Sequence, residues 1–295
     1  MHKHHGTQCS TRRRKRNGNN PYIKQPYLRP VDAKELNAAI EIVKSCGNRL
    51  LEKQQALQHL HIRDKGLNQL VSEADVEAEE ELVRGLGALL PEAAFITEEG
   101  TVAQAGENSL AWIIDPLDGT TNFLHGLPMF SVSVALALGS DIQAGIVYIP
   151  ALNECFHAVK GGGAFLNHRP IRVSTAAGLP QSLLATGFPY TDFHGTEAYL
   201  QVLRGFMQKT RGLRRMGSAA IDLAYTACGR FEGFFEYGLA PWDVAAGALL
   251  VKEAGGLTTD FQNGEKYLFG KTIIAAAPAV HGEMQPLIAR HFGSN

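Results

Sequence analysis

Residues 112–123 read Trp-Ile-Ile-Asp-Pro-Leu-Asp-Gly-Thr-Thr-Asn-Phe, and they constrain the fold more than any other stretch. An apolar run delivers two carboxylates, Asp115 and Asp118, three residues apart. Buried or half-buried carboxylates are costly unless something meets their charge. The run 110–114 predicts a buried strand that ends at Asp115. Pro116 fixes its own φ and turns the backbone, so Asp118 can return to the side of Asp115. Gly119 admits a close approach of the chain to a ligand. Thr120, Thr121 and Asn122 suit the opening of a helix, whose free N–H groups bind anions, phosphate above all. One loop thus offers two carboxylates, the Leu117 carbonyl and an anion cradle. Carboxylates repel a phosphate unless a divalent cation stands between them, and hard oxygen donors favour Mg²⁺. Taken alone, the segment equally suits an Asx-type turn that caps a helix.

The surrounding pattern alternates helical and extended periods. Asp32 as N-cap, with Leu36, Ile40, Val43 and Leu50 at helical spacing, predicts a first helix. A break is expected at Asp64-Lys65-Gly66. A second helix follows, with Ser72 as its cap and Asp75 completing a capping-box variant. Glu77, Glu79, Glu80 and Glu81 are expected on its solvated face. Strands are predicted over 130–138, 142–150 and 154–159, a hairpin over 161–167 and a closing strand over 169–174. Beyond residue 180, helices (199–209, 218–229, 243–256) alternate with short apolar runs (231–237, 256–261, 272–278). Ile221, Ala224, Tyr225 and Cys228 would form the single packing face of the second of these helices. The reading is a flexible basic tail over 1–29, an α+β half over 30–176 and an α/β half over 177–295.

Charge is divided unevenly. The first 29 residues carry eight Lys/Arg and no acidic residue, leaving 20 basic against 29 acidic residues in the rest. An acidic body is a poor nucleic-acid binder. The run Arg12–Arg16 reads either as a nuclear-import or nucleic-acid patch or as an unstructured extension. His2, His4 and His5 would bind metal only weakly. Cys9, Cys46, Cys155 and Cys228 have neither zinc nor redox-motif spacing and are expected as reduced thiols. Without an apolar run of membrane-spanning length or a secretory core, the chain is expected to be soluble and cytoplasmic.

Two further segments bear on the carboxylate pair. Phe-Ile-Thr-Glu-Glu-Gly at 95–100 sets Glu98 and Glu99 after an apolar run, and Ala-Pro-Trp-Asp-Val-Ala-Ala-Gly at 240–247 sets Asp243 in the first turn of a helix. Each has an ordinary explanation, a solvated turn for the first and a dipole-complementing acid for the second. Together with residues 112–123, in this order, they resemble the inositol monophosphatase family of Mg²⁺-dependent phosphatases, over roughly residues 31–290.

The resemblance implies a layered αβαβα sandwich of the inositol monophosphatase and fructose-1,6-bisphosphatase type, in α+β and α/β halves. It implies two to three Mg²⁺ ions per site. Glu98, Asp115 and the Leu117 carbonyl match the ligands of a first ion, and Asp115, Asp118 and Asp243 those of a second; a third, weaker ion belongs near Glu98. Gly119 and Thr120 match the phosphate-holding backbone. Asp75 matches the partner of Thr120, and Lys65 a lysine near the site. Gly217, Ser218, Ala219 and Glu236 match positions that line the pocket for the hydroxyl-bearing part of a substrate, alongside Leu117, Asp118 and Asp243. Thr97 departs from the glycine many members carry. The implied reaction is attack of activated water on a small phosphomonoester, inositol 1-phosphate first, with Glu98, Thr120 and Asp75 catalytic. Histidinol phosphate, fructose bisphosphate and 3′-phosphoadenosine nucleotides are the alternative substrates. Lithium inhibition and a homodimer are implied as well. A reading of another class makes the chain a binding protein that docks nucleic acid or an acidic partner through its basic tail. Aromatic residues that would stack bases are not interleaved with Arg12–Arg16.

Overall fold

The computed structural model describes residues 1–2, 31–56, 62–66, 69–106, 108–188 and 193–293, with backbone alone for 62–66 and 69–72. The Arg12–Arg16 run lies outside the described residues. From Val31 onward the chain forms a compact unit of five layers. Helices α1 (Ala33–Gln55) and α2 (Glu73–Leu89) cover one face of a seven-stranded sheet. Its strands run in order β3 (Ala94–Thr97), β4 (Leu110–Asp118), β5 (Ser131–Leu138), β6 (Asp141–Ile149), β7 (Glu154–Val159), β8 (Gly163–Leu166) and β9 (Arg169–Pro170). All neighbours are antiparallel except β3 and β4. Helices α5 (Ala219–Ala227) and α6 (Pro241–Glu253) fill the middle layer. Beyond them lies a five-stranded sheet ordered β11 (Gly212–Arg214), β10 (Leu183–Thr186), β12 (Gly233–Tyr237), β14 (Thr272–Ala276) and β13 (Leu257–Thr259). Its outer face carries α4 (Thr196–Met207) and α7 (Pro278–Phe292). This is the αβαβα order that the resemblance implies.

Local chemistry accounts for the first element. Asp32 caps α1: its Oδ1 accepts from the Glu35 N–H at 2.8 Å, and Glu35 Oε2 accepts from the Asp32 N–H at 3.1 Å. Two orphan donors are satisfied reciprocally, as in a capping box.

The sheet faces alternate residue by residue. Along β4, Trp112 and Ile114 join the core under α1 and α2, while Ile113 joins the core with α5 and α6. Strict alternation would send Asp118 to the face opposite Asp115. It does not, because β4 carries an extra residue here. Asp115 pairs with Ser133 and Asp118 with Ser131, so three steps on β4 match two on β5. Such a bulge re-aims a side chain and tolerates a proline. Leu117 accordingly falls into the α1–α2 core. Asp118 faces α5, where the Ala220 N–H reaches it at 2.7 Å. The strand does not stop at Asp115 as the apolar run alone indicates; it continues through Pro116.

Other expectations change for identifiable reasons. The break at Asp64-Lys65-Gly66 belongs to β1 (Ile62–Gly66), antiparallel to β2 (Gln69–Ser72). The closing strand over 169–174 shortens to the two residues of β9. All of Ala219–Ala227 in α5 is buried, since a sheet lies on each side, so a one-face reading fails. Glu79 is 0% exposed and not on a solvated face, whereas Glu77 and Glu81 reach α1 to pair with Lys53 and Arg49. Ser72 as a cap rests on a side chain outside the described ones.

Close packing sets α6 on the first sheet. A Cβ added at Gly145 in β6 would lie 2.9 Å from both Cα and the carbonyl oxygen of Ala246. Those are backbone atoms of α6 and cannot swing aside. Gly145→Ala is therefore expected to cost about 1–3 kcal/mol in urea unfolding. An unchanged midpoint would show that α6 is free to shift.

Candidate active site

Three carboxylates from two elements converge. One oxygen from each of Asp115, Asp118 and Asp243 lies within 4.8 Å of the other two. Asp115 is buried; Asp118 and Asp243 are half-buried. Asp115 Oδ1 accepts from the Leu117 N–H at 3.0 Å, an Asx-type bond across the bulge. The turn chemistry and the converging carboxylates therefore coexist. Asp118 Oδ2 accepts from Ser218 Oγ and the Ala220 N–H, both at 2.7 Å. Ser218 is the N-cap of α5 and also accepts from the Ile221 N–H at 3.2 Å. Asp243 sits in the first turn of α6, with its Oδ2 accepting from the Ala240 N–H at 2.6 Å. The starts of α5 and α6 thus hold two of the three acids, where helix dipoles favour negative charge.

Glu98 follows β3, and its backbone N–H donates to the Ile114 carbonyl at 3.3 Å. Its carboxyl shares a hydrogen bond with that of Asp115. Burial, then the charges of Asp243, Glu99 and Asp75, push Glu98 up to about 8. The residue keeps an exposed surface, so repulsion among the acids is the firmer of these causes. Burial comes first for Asp115 as well, which is held well above the carboxylate range, with Glu98, Asp118 and Asp243 adding to it. Asp243 rises to about 7 through burial and the charge of Asp118. Asp118 rises less freely, because Ser218, Ala220, Ala219 and the Arg215 charge oppose its burial. Three carboxyls within 4.8 Å of one another, with Glu98 beside Asp115, supply the hard oxygen donors that suit a Mg²⁺-sized cation. The residues present fit such an ion.

Beside them lies the turn into α3 (Thr120–Leu124), entered through Gly119 at φ 99°. A side chain at Gly119 would meet the Met129 carbonyl oxygen at 2.9 Å and that of Gly217 at 3.2 Å, so glycine is required twice over. Thr120 Oγ1 donates to Asp75 Oδ1 at 3.0 Å and lies 3.1 Å from the Leu117 carbonyl oxygen. Asp75 is 1% exposed, in the first turn of α2.

The remaining positions divide. Gly217, Ser218 and Ala219 open α5 against Asp118 and α3: Asn122 Nδ2 donates to the Met216 carbonyl at 2.8 Å. Glu236 on β12 is 5% exposed. Burial raises it well above its usual range; Arg215 opposes, and Asp243 and Asp118 add to the rise. Lys65 lies on β1, where only the backbone is described. The residues do not all share one contact set, but Asp118 and Asp243 act electrostatically on Glu236 across the middle layer.

Sequence reasoning missed Arg215, Asp222 and Glu79. Arg215 stacks 5.6 Å from the Phe188 ring and lowers Asp118, Asp222 and Glu236 together. Asp222 is 1% exposed, and its Oδ1 has no hydrogen-bond partner among the described residues. An acid in an otherwise apolar, small-residue helix was the available signal. For Glu79 there was none, because it stands in a run of glutamates.

Comparison with known proteins places this geometry. The profile described as "Inositol monophosphatase family" matches residues 32–295. The chain is similar to "Putative Nus factor SuhB" of Neisseria meningitidis serogroup B, 41% identical over 256 residues, which are 87% of this chain and 98% of the relative. It is equally similar to "Inositol-1-monophosphatase" of Rhizobium meliloti, 41% identical over 255 residues, 86% of this chain and 96% of the relative. The crystal structure of extragenic suppressor protein suhB from Bartonella henselae superposes with a TM-score of 0.82 at 40% identity, over 87% of this chain and 98% of the other.

Crowded acids make a pH-dependent liability. Each binds its proton more tightly in the folded chain than in the unfolded one. Their contribution to stability is present below the ordinary carboxylate range near pH 4. It is lost as pH climbs through about 7 for Asp243 and about 8 for Glu98. With a chelator present, the Tm is expected to fall between roughly pH 5 and 8, and Mg²⁺ to flatten that fall. A chelated protein whose Tm rises over the interval would contradict the assignment.

Proposed function

This chain belongs to the inositol monophosphatase family, and on that premise we propose that it is a Mg²⁺-dependent phosphomonoesterase acting on inositol 1-phosphate. The observation that carries the reading is the convergence of Asp115, Asp118 and Asp243 within 4.8 Å, beside the glycine turn that opens α3. Asp115, Asp118 and Asp243 would hold one ion, and Glu98, Asp115 and the Leu117 carbonyl another; a third, weaker ion would stand near Glu98. When bound, Mg²⁺ supplies charge neutralisation for phosphate and leaving alkoxide and a lowered pKa for water.

The chain's own groups do the rest. Thr120 Oγ1 directs its proton toward Asp75 Oδ1, which leaves a lone pair to accept a hydrogen bond from water; as water's proton passes to Oγ1, the threonine's own proton passes to the Asp75 carboxylate. Asp75 holds that hydroxyl in place from the first turn of α2. Glu98 orients the same water. The backbone of Gly119 and Thr120 faces the phosphate oxygens, and this preorganised dipole acts where charge develops. Gly217, Ser218, Ala219 and Glu236 receive the hydroxyl-bearing part of the substrate. Buried Glu236, drawn above the usual carboxylate range, is suited to donate as well as accept a hydrogen bond to a polyol.

The substrate rests on the relative named inositol-1-monophosphatase and on the resemblance, which matches Gly217, Ser218, Ala219 and Glu236 to the positions for the hydroxyl-bearing part of a substrate. Fold alone does not decide the leaving group. Histidinol phosphate and sugar or nucleotide phosphates stay in the proposal as alternatives. The homodimer and lithium inhibition that the resemblance implies belong to it too, as does the cytoplasmic location expected from the sequence. Among the described residues, no helix is long and apolar enough to cross a membrane.

A second reading follows from relatives named Nus factor SuhB. Under it the chain also serves as such a factor, with the basic tail as a nucleic-acid contact. Deleting residues 1–29 separates the two roles, since hydrolysis should survive and a tail-borne role should vanish.

Asp115→Asn is expected to lower kcat/KM by at least about 10²-fold, because both ion positions share that carboxylate. Near-normal rates with Mg²⁺ would sink the assignment. In a panel of phosphomonoesters, inositol 1-phosphate should give the highest kcat/KM. A larger value for histidinol phosphate would move the chain to another branch of the superfamily.

A further inference from the structure

Glu79 stands one turn beyond Asp75 on α2, so the two carboxylates share one face of that helix. Asp75 reaches Thr120. Glu79 reaches the loop that carries Glu98. Its Oε1 accepts from Thr97 Oγ1 at 3.0 Å, from the Thr101 N–H at 2.7 Å and from Thr101 Oγ1 at 2.7 Å. Its Oε2 accepts from the Glu99 N–H at 2.7 Å. Four donors occupy a carboxylate that is 0% exposed, about the full acceptor capacity of the group. Gln104 completes the arrangement: its Oε1 accepts from the Thr97 N–H at 2.7 Å, and its Nε2 donates to Thr97 Oγ1 at 3.0 Å. Thr97, the departure from glycine, is thus a working part of the loop's anchorage.

We propose that Glu79 is the positioning residue that fixes residues 97–101 before any cation arrives, and thereby sets the affinity of Glu98 and Asp115 for Mg²⁺. The proposal rests on the reading of the acid cluster as a Mg²⁺ site. All four bonds are made by groups of the chain itself, so under this proposal the loop is preorganised and does not order around the ion. A loop that had to order on binding would lose affinity to that cost. Partners that orient ligands in this way change metal affinity by about 10–100-fold when removed.

The test uses the full chain and Mg²⁺ itself. Glu79→Gln turns one acceptor oxygen into a donor that faces donors. Hydrogen exchange of the Glu99 and Thr101 amides in chelator should then accelerate by about tenfold or more, and the calorimetric Kd for Mg²⁺ should rise by about tenfold. The Mg²⁺ concentration for half-maximal turnover should rise in parallel, more than the rate at saturating Mg²⁺ falls. Thr101→Val removes a single donor and should weaken Mg²⁺ binding about threefold; it decides the matter if Glu79→Gln does not fold. Thr97→Ser keeps its hydroxyl and should keep wild-type affinity, which Thr97→Val should not. Faster exchange with unchanged Mg²⁺ affinity in Glu79→Gln or Thr101→Val would overturn the clamp while leaving the site intact. A wild-type chain that binds no Mg²⁺ would overturn the site reading, and the clamp with it.

Discussion

One extra residue in β4 is what the rest of the site depends on. Side chains on a strand alternate between faces, so Asp115 and Asp118, an odd number apart, should look away from each other. The bulge at Pro116 reverses the alternation, sending Leu117 into the α1–α2 core and both acids toward the middle layer. A register slip of one residue changes the face of everything beyond it. Here the slip is built in and closed by the bond from the Leu117 N–H to Asp115. Proline removes a donor that a regular ladder would need, which suits it to this place.

Gathering acids in this way opposes folding. Burial raises Glu98, Asp115, Asp118 and Asp243, and the charges of neighbouring acids add to the rise at Glu98, Asp115 and Asp243. The fold offsets the cost with hydrogen bonds from the starts of α5 and α6. A divalent ion would offset the remainder. Function and stability therefore pull in opposite directions within the same few side chains, and α2, through Asp75 and Glu79, keeps both neighbouring arms in register.

Much of this was legible in the sequence. The motif at 112–123 announced the acid pair, and periodicity located α1, α2, α5, α6 and the central strands. The five-layer order came through the resemblance and not through periodicity, which is local. What escaped depended on tertiary partners. The continuation of β4 past Asp115 is decided by pairing with Ser133 and Ser131. Burial of Glu79 is decided by Thr97, Glu99 and Thr101, which lie far along the chain from a run of glutamates that reads as solvated. The all-round burial of α5 follows from a second sheet that its own sequence does not reveal.

The central claim is that Asp115, Asp118 and Asp243, with Glu98 beside them, grip shared divalent ions. Anomalous diffraction from crystals grown with Mn²⁺ in place of Mg²⁺ tests it most directly. The account predicts peaks bridged by Asp115, with Asp118 and Asp243 on one ion and Glu98 on another. Peaks bound elsewhere, with none on these four carboxyls, would contradict it.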